Sequence, residues 1–168
     1  NNADFISCSL DNYCLKYDML KNLKKGGIFL LNTEFNKDEI VDYLPNKLKK
    51  QLADLKAKFY IINANKIANE IGMGRRTNTI LQSAFFALNP QILPIDEAIK
   101  YMKEMAKKTY GKKGDAIVEL NYKAIDAGKD AIVEVEVDPS WSDLTVTSRR
   151  VRTGDDHFDN FVSIINKL

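Results

Sequence analysis

Gly27-Ile28-Phe29-Leu30-Leu31-Asn32-Thr33 is the stretch on which the fold class turns. Its apolar residues occupy consecutive positions instead of alternating, which suits a strand covered on both faces, as in a parallel sheet. Phe59-Tyr60-Ile61-Ile62-Asn63-Ala64 repeats the pattern, and Phe5-Ile6-Ser7-Cys8 is a shorter β-favouring run ahead of both. Helical spacing fills the gaps. Leu15, Met19, Leu20 and Leu23 predict a helix over 11–25 that Gly26-Gly27 stops. "NKDEIVDYL" and "PNKLKKQLADLK" predict two more, the second entered at Pro45 with Leu48, Leu52 and Leu55 as its apolar stripe. The order β-α-β-α-β implies right-handed crossovers and an open, mostly parallel sheet. Ligands of such sheets sit at the carboxyl ends of the strands, where Asn32, Thr33 and Asn63 stand here.

Beyond Ala64 the chain reads as helical. The spacing predicts helices over 65–71, 77–88, 96–110 and 113–128, the second apolar most of the way round through Ile80, Leu81, Ala84, Phe85, Phe86 and Leu88. From Ile132 the run "IVEVEVDPSW" alternates. Pro139, Gly154 and the basic cluster Arg149-Arg150-Val151-Arg152 then mark an exposed arm, and "FDNFVSIINKL" predicts a final amphipathic helix. This organisation gives an α/β domain over 1–131 and a linker or arm with a terminal helix over 132–168.

Composition narrows the function classes. The 168 residues carry 45% apolar and 29% charged side chains with a net charge of +2, an ordinary globular balance that gives no reason to invoke nucleic acid or a membrane surface. No apolar run is long enough for a spanning helix. Two cysteines, Cys8 and Cys14, and the single His157 are too few for a zinc site or an iron–sulfur cluster, so no metal ligands are expected. No serine–histidine–aspartate arrangement accompanies them, and no catalytic residue is expected. "TGDDH" at 153–157 resembles the opening of a thiamin diphosphate motif, but too few residues follow to complete it.

The sharpest chemical signal is Gly72-Met73-Gly74-Arg75-Arg76-Thr77-Asn78. A dinucleotide fingerprint needs a third glycine and a preceding strand, and both are missing. As backbone, the segment reads as a helix joint: Gly72 closes one helix and Gly74 turns the chain into the next. That leaves Arg75 and Arg76 beside a helix start, where an anion is favoured electrostatically.

Three blocks carry a family resemblance: "KYDMLKNLKKGGIFLLNTEF", "KFYIINANKIANEIGMGRRTNTILQSAFFAL" and "AIKYMKEMAKKTYGKKGDAIVELNYKAIDAG". Together they resemble pyruvate:ferredoxin oxidoreductase, in the domain equivalent to the gamma subunit of the split 2-oxoacid oxidoreductases. The match runs in register from about Asn2 to Trp141. The resemblance implies a three-layer, Rossmann-like α/β sheet truncated at its N-terminal end, then a helical segment and a C-terminal extended arm. It also implies a fragment of a cytoplasmic enzyme that converts pyruvate and coenzyme A to acetyl-CoA and carbon dioxide. Electrons would pass to ferredoxin or flavodoxin, and the full-length family is a homodimer using thiamin diphosphate, Mg2+ and [4Fe-4S] clusters. None of those cofactors has a signature in this chain, so the fragment itself is expected to hold none and to be inactive alone. The lack of an initial Met is consistent with a piece of something longer.

In the family the joint runs Gly-x-Gly-Gly-Arg-x-Asn. Arg76 and Asn78 match its Arg and Asn, while Arg75 replaces a glycine and puts the tight turn in question. The resemblance places Arg76, Asn78 and Arg75 at a contact with coenzyme A or with a neighbouring domain of the same enzyme. Two other readings compete: a non-catalytic interaction module, and a free-standing nucleotide-binding α/β domain.

Overall fold

A computed structural model describes residues 2–146 and the strand 162–165. The chain divides into two compact units, one formed by Asn1–Ile62 with Val133–Leu168 and the other by Asn63–Ile132.

The first unit is an α/β sheet. Three parallel strands lie side by side: β1 (Ala3–Cys8), β2 (Leu23–Asn32) and β3 (Lys58–Ile62), with β2 in the middle. Both edges are closed by antiparallel strands, β4 (Val133–Val135) on β3 and β5 (Val162–Ile165) on β1, giving the order β4-β3-β2-β1-β5. The mostly parallel α/β architecture read from the sequence is therefore observed, with capped edges that remove exposed rows of parallel-strand N–H and C=O groups. The consecutive apolar run works as two-sided burial demands. Phe29, Leu30 and Leu31 are all fully buried, and the Phe29 ring stacks on Phe59 with centroids 5.5 Å apart.

Between β2 and β3 run α2 (Lys37–Tyr43) and α3 (Asn46–Asp54). Asn36 and Glu39 form a reciprocal capping box at the start of α2, which satisfies two otherwise orphaned N–H groups. Pro45 stands just before α3 in extended conformation. Ile40, Leu48 and Leu52 bring these helices onto the apolar core.

Two expectations are corrected here. The helix predicted over 11–25 shrinks to α1 (Tyr13–Lys16), because the chain turns extended at Tyr17 and Leu23 already pairs with Ala3 in the sheet. Met19 and Leu20 are buried from a turn and Leu23 from the start of β2, so their helical spacing reflects core contacts made without a helix; Leu15 is exposed. Gly26-Gly27 accordingly stops no helix. It lies inside β2 where the register to β1 slips, with Gly26 at φ +77° and Gly27 too close to the Leu23 side chain for a Cβ. The second correction concerns the chain end. Val162–Ile165, within the stretch read as an amphipathic helix, is strand β5, since the free edge of β1 offers a ladder of hydrogen bonds to a β-branched run. The Arg149–Arg152 cluster, His157 and the rest of that terminal stretch lie outside the described residues.

The second unit is helical: α4 (Ala64–Ile71), α5 (Asn78–Leu88), α6 (Ile95–Tyr110) and α7 (Asp115–Asp130), with a 3-10 turn at Gly111–Lys113. α7 packs against the other three, most extensively against α5. The close approach there depends on Gly128, where an added Cβ would lie 2.5 Å from the Ile80 carbonyl oxygen and 2.8 Å from the Ser83 Cβ. Ser83 Oγ donates to the Ile125 carbonyl in the same contact.

Candidate functional site

The joint between α4 and α5 is built as the glycine spacing implies. Gly72 ends α4 in the left-handed conformation at φ +100°, and the Met73 N–H donates 2.8 Å back to the Ala68 carbonyl. Met73 is buried and pins the turn. Gly74 takes the second positive φ, +64°, and Arg76 N–H then donates to the Met73 carbonyl at 3.2 Å. Arg75 is not among the residues at positive φ, so an arginine where the family has glycine costs the backbone nothing. The turn is carried by Gly72 and Gly74.

Arg75, Arg76 and Asn78 are all exposed on this joint. Among the described residues neither guanidinium has an ion-pair or hydrogen-bond partner. Asn78 is the first residue of α5. Thr77 before it makes no side-chain cap, and the first turn carries no acidic residue. The helix dipole, the unpaired first-turn N–H groups and two free guanidiniums therefore add at one place, which is the electrostatics an anion requires.

The three strand-end residues are arranged differently. Asn32 and Thr33 are each 3% exposed, and their polar atoms serve the sheet. Asn32 Nδ2 donates to the Ser9 carbonyl at 3.3 Å. Thr33 Oγ1 donates to Asp11 Oδ2 at 2.7 Å and accepts from Phe35 N–H, while Thr33 N–H donates to the Ile62 carbonyl. These bonds clip the exits of β1, β2 and β3 together. Asn63 opens the second unit as the N-cap of α4, accepting from Lys66 N–H at 3.0 Å. Thus the joint brings Arg75, Arg76 and Asn78 together, and at the strand ends Asn32 reaches the Ser9 carbonyl and Thr33 reaches Asp11. Asp11 itself gave no sequence signal, since only the fold carries it to Thr33.

Cys8 and Cys14 are buried in the first unit. Contact with the Cys8 side chain, then burial, pushes the Cys14 thiol far above its ordinary range. Cys8 Sγ donates to the Leu10 carbonyl. Burial, then the charge of Asp11, also raises the nearby Tyr43 hydroxyl. A [4Fe-4S] cluster takes four thiolates and this chain has two cysteines, both buried, so its residues do not fit such a cluster. Among the described residues no group of three or more His, Cys, Asp or Glu side chains could hold a metal ion.

Two concave surfaces were not foreseen. In the first unit a cleft of about 320 Å³ is lined by Cys14, Tyr17, Asp18, Lys47 and Leu48, with Asp18 held by Gln51 at 2.7 Å and Lys47 at 3.5 Å. In the second, a shallower cleft of about 280 Å³ lies among Thr79 and Gln82 of α5, Tyr101 and Met105 of α6, and Asn121 of α7. No helix among the described residues is long and apolar enough to cross a membrane.

Comparison with known proteins gives consistent findings. Residues 1–131 match the family described as pyruvate ferredoxin/flavodoxin oxidoreductase. Pyruvate:ferredoxin oxidoreductase of Moorella thermoacetica is 46% identical over 141 residues, covering 84% of this chain and 12% of that protein. Pyruvate-flavodoxin oxidoreductase of Enterobacter agglomerans is 43% identical over 142 residues, again 84% and 12%. Pyruvate dehydrogenase (NADP+) of Cryptosporidium parvum is 44% identical over 139 residues, covering 82% of this chain and 7% of that one. The chain thus spans about an eighth or less of the length of these relatives. Among solved structures, the pyruvate oxidoreductase subunit PORC of Thermotoga maritima shares the fold, with a TM-score of 0.62 over 80% of this chain and 66% of that one at 16% identity.

Proposed function

Because the chain belongs to the pyruvate ferredoxin/flavodoxin oxidoreductase family, we propose that it serves as a non-catalytic α/β domain of a longer oxidoreductase. That enzyme oxidatively decarboxylates pyruvate with coenzyme A to acetyl-CoA and carbon dioxide, and it reduces ferredoxin or flavodoxin. Thiamin diphosphate and Mg2+ belong to other domains in this reading, and so do the iron–sulfur clusters, which two cysteines cannot ligate alone. The whole enzyme is cytoplasmic and assembles as a homodimer.

Within it, the Gly72–Asn78 joint meets an anion. The observation carrying this reading is the pair of exposed guanidiniums, unpartnered among the described residues, beside a helix start with no side-chain cap. Coenzyme A supplies the anion through its phosphates, with Arg76 and Asn78 as the contacts and Arg75 as a second cation. Asn32 and Thr33 hold strand ends of the first unit, and Asn63 caps α4 in the second. In the full-length enzyme, Arg76→Ala raises the apparent KM for coenzyme A roughly tenfold, the scale of one charge-assisted hydrogen bond, and leaves the KM for pyruvate unchanged. An unchanged KM for coenzyme A refutes the ligand role.

A second reading rests on the same exposure together with the apolar surface of α6. The joint would then pair with carboxylates of a neighbouring domain, and Arg76→Ala would lower the melting temperature of the assembled enzyme with both KM values intact.

A further inference from the structure

The thiols of Cys8 and Cys14 take no part in the function proposed above, yet the fold brings them together. Cys8 ends β1, and Cys14 lies in α1 six positions later. The segment between them folds back as a tight turn. The Leu10 carbonyl accepts from Cys8 Sγ at 3.0 Å and from Tyr13 N–H at 3.2 Å, and the Asp11 carbonyl accepts from Cys14 N–H at 3.0 Å. Both side chains enter the same buried core, where the Cys14 thiol is in hydrogen-bonding contact with the Cys8 side chain. Both cysteines are free. Their access from outside differs. Cys8 is 0% exposed, whereas Cys14 is 4% exposed and stands in the wall of the cleft of about 320 Å³, beside Tyr17, Pro45 and Leu48. That cleft has room for several molecules of the size of water, at about 30 Å³ each. A small neutral oxidant therefore meets Cys14 first, with Cys8 directly behind it. Contact with Cys8 and burial hold the Cys14 thiol protonated, so it reacts slowly, and the pair answers to sustained oxidant instead of each passing molecule.

We propose that Cys8 and Cys14 form a reversible oxidation site, with hydrogen peroxide as the oxidant and a disulfide within the chain as the product. The Cys14 sulfur attacks one peroxide oxygen and the O–O bond breaks. Cys14 becomes a sulfenic acid, and the other oxygen leaves as water with the thiol proton. The Cys8 sulfur then attacks the sulfenic sulfur. The S–S bond forms, the S–O bond breaks, and the hydroxyl leaves as a second water with the Cys8 proton. Two thiols have lost two electrons, and one peroxide has taken them up. Because the second step is intramolecular, it outruns the further peroxide that would carry Cys14 on to sulfinic acid. The product closes residues 9–13 into a ring. Asp11 lies in that ring, and its carboxylate holds Thr33 just past the end of β2. Oxidation thus tethers the turn that clips the exits of β1 and β2, and a dithiol reductant releases it. The site stands apart from the Gly72–Asn78 joint, so its failure leaves the coenzyme A reading untouched.

Peptide mapping on the full-length enzyme decides the matter, with a readout that does not depend on activity. No lysine or arginine lies between Asn1 and Leu15, so trypsin leaves both thiols on one peptide ending at Lys16. The folded enzyme is held in millimolar hydrogen peroxide, cleared with catalase, unfolded in urea with iodoacetamide and digested. The expected peptide is lighter by two hydrogens and carries no carbamidomethyl group, and dithiothreitol before alkylation restores two such groups. A peptide that still takes two carbamidomethyl groups after peroxide overturns the proposal. So does a peptide that has gained oxygen and is not restored by dithiothreitol. Two variants test the order of attack. Cys8→Ala leaves Cys14 without its partner, and that thiol accumulates as sulfinic acid. Cys14→Ala removes the outer thiol, and Cys8 is then oxidised at least about tenfold more slowly than Cys14 in the first variant. Equal rates overturn the assignment of Cys14 as the thiol attacked first. Circular dichroism confirms that each variant retains its fold.

Discussion

Gly128→Ala tests the close α5–α7 contact. Alanine is the better helix former by about 1 kcal/mol, so on propensity alone the change in α7 should stabilise. The packing opposes it. The new methyl would sit 2.5 Å from the Ile80 carbonyl oxygen, 2.8 Å from Ser83 Cβ and 3.2 Å from the Ile80 carbonyl carbon. Two of these three atoms are backbone and cannot rotate away, so α7 must withdraw from α5 by roughly an ångström to restore ordinary contact. That gap forfeits a quarter to a half of the dispersion energy along the seam, and overpacking of this kind costs about 1–3 kcal/mol. It also stretches the buried bond from Ser83 Oγ to the Ile125 carbonyl, for about another 1 kcal/mol. Setting the propensity gain against these losses leaves a destabilisation of about 1–3 kcal/mol, or about 2–12 °C in melting temperature for a chain of this size. Urea unfolding followed by circular dichroism measures it. The control is Gly111→Ala, where φ is −56° and a Cβ meets nothing within 4 Å; there the smaller unfolded-state entropy stabilises by about 0.4–1 kcal/mol. If Gly128→Ala proves as stable as the unaltered protein, the close α5–α7 crossing is wrong.

Other parts of the fold can be tested more simply. Asn36→Ala removes the capping box of α2 and lowers the unfolding free energy by about 1 kcal/mol, read from the urea midpoint at constant slope. The Ser140 N–H donating to Asp138 holds that carboxyl below its ordinary value. Its folded-state pKa is depressed, so its contribution is complete above the unfolded value near 3.8 and lost as pH falls below it. Asp138→Ala should therefore reduce the drop in urea midpoint between pH 5 and pH 3, and an identical drop would rule out this contribution. Cys14, buried and held protonated, reacts with iodoacetamide at pH 8 at least tenfold more slowly in the folded protein than in urea, as mass spectrometry would show.

Much of the site was legible because its determinants are local. Gly72 and Gly74 occur where a chain leaving one helix for another needs positive φ, and no distant residue alters that requirement. The same holds for the exposed arginines that follow. The strand-end residues were placed correctly along the chain, but their employment was not visible. Thr33 spends its hydroxyl on Asp11, 22 positions away, and Asn32 bonds the Ser9 carbonyl 23 positions away. Bonds of that sequence separation leave no periodic trace. The Tyr101–Met105 surface was equally silent, because apolar spacing on a helix does not say which of its stripes is covered.

By itself, then, the sequence determined the parallel strands, the helix joint and the family. Consecutive burial, positive φ and residue identity in register are all properties of short segments. Tertiary structure decided the rest. Leu23 became strand instead of helix because Ala3 offered it a pairing partner. Val162–Ile165 became strand because β1 had an open edge to fill. Both segments carry apolar residues compatible with either conformation, and backbone N–H and C=O groups must find partners in whichever is built. A local preference of a few tenths of a kcal/mol per residue yields to a neighbouring strand that satisfies them.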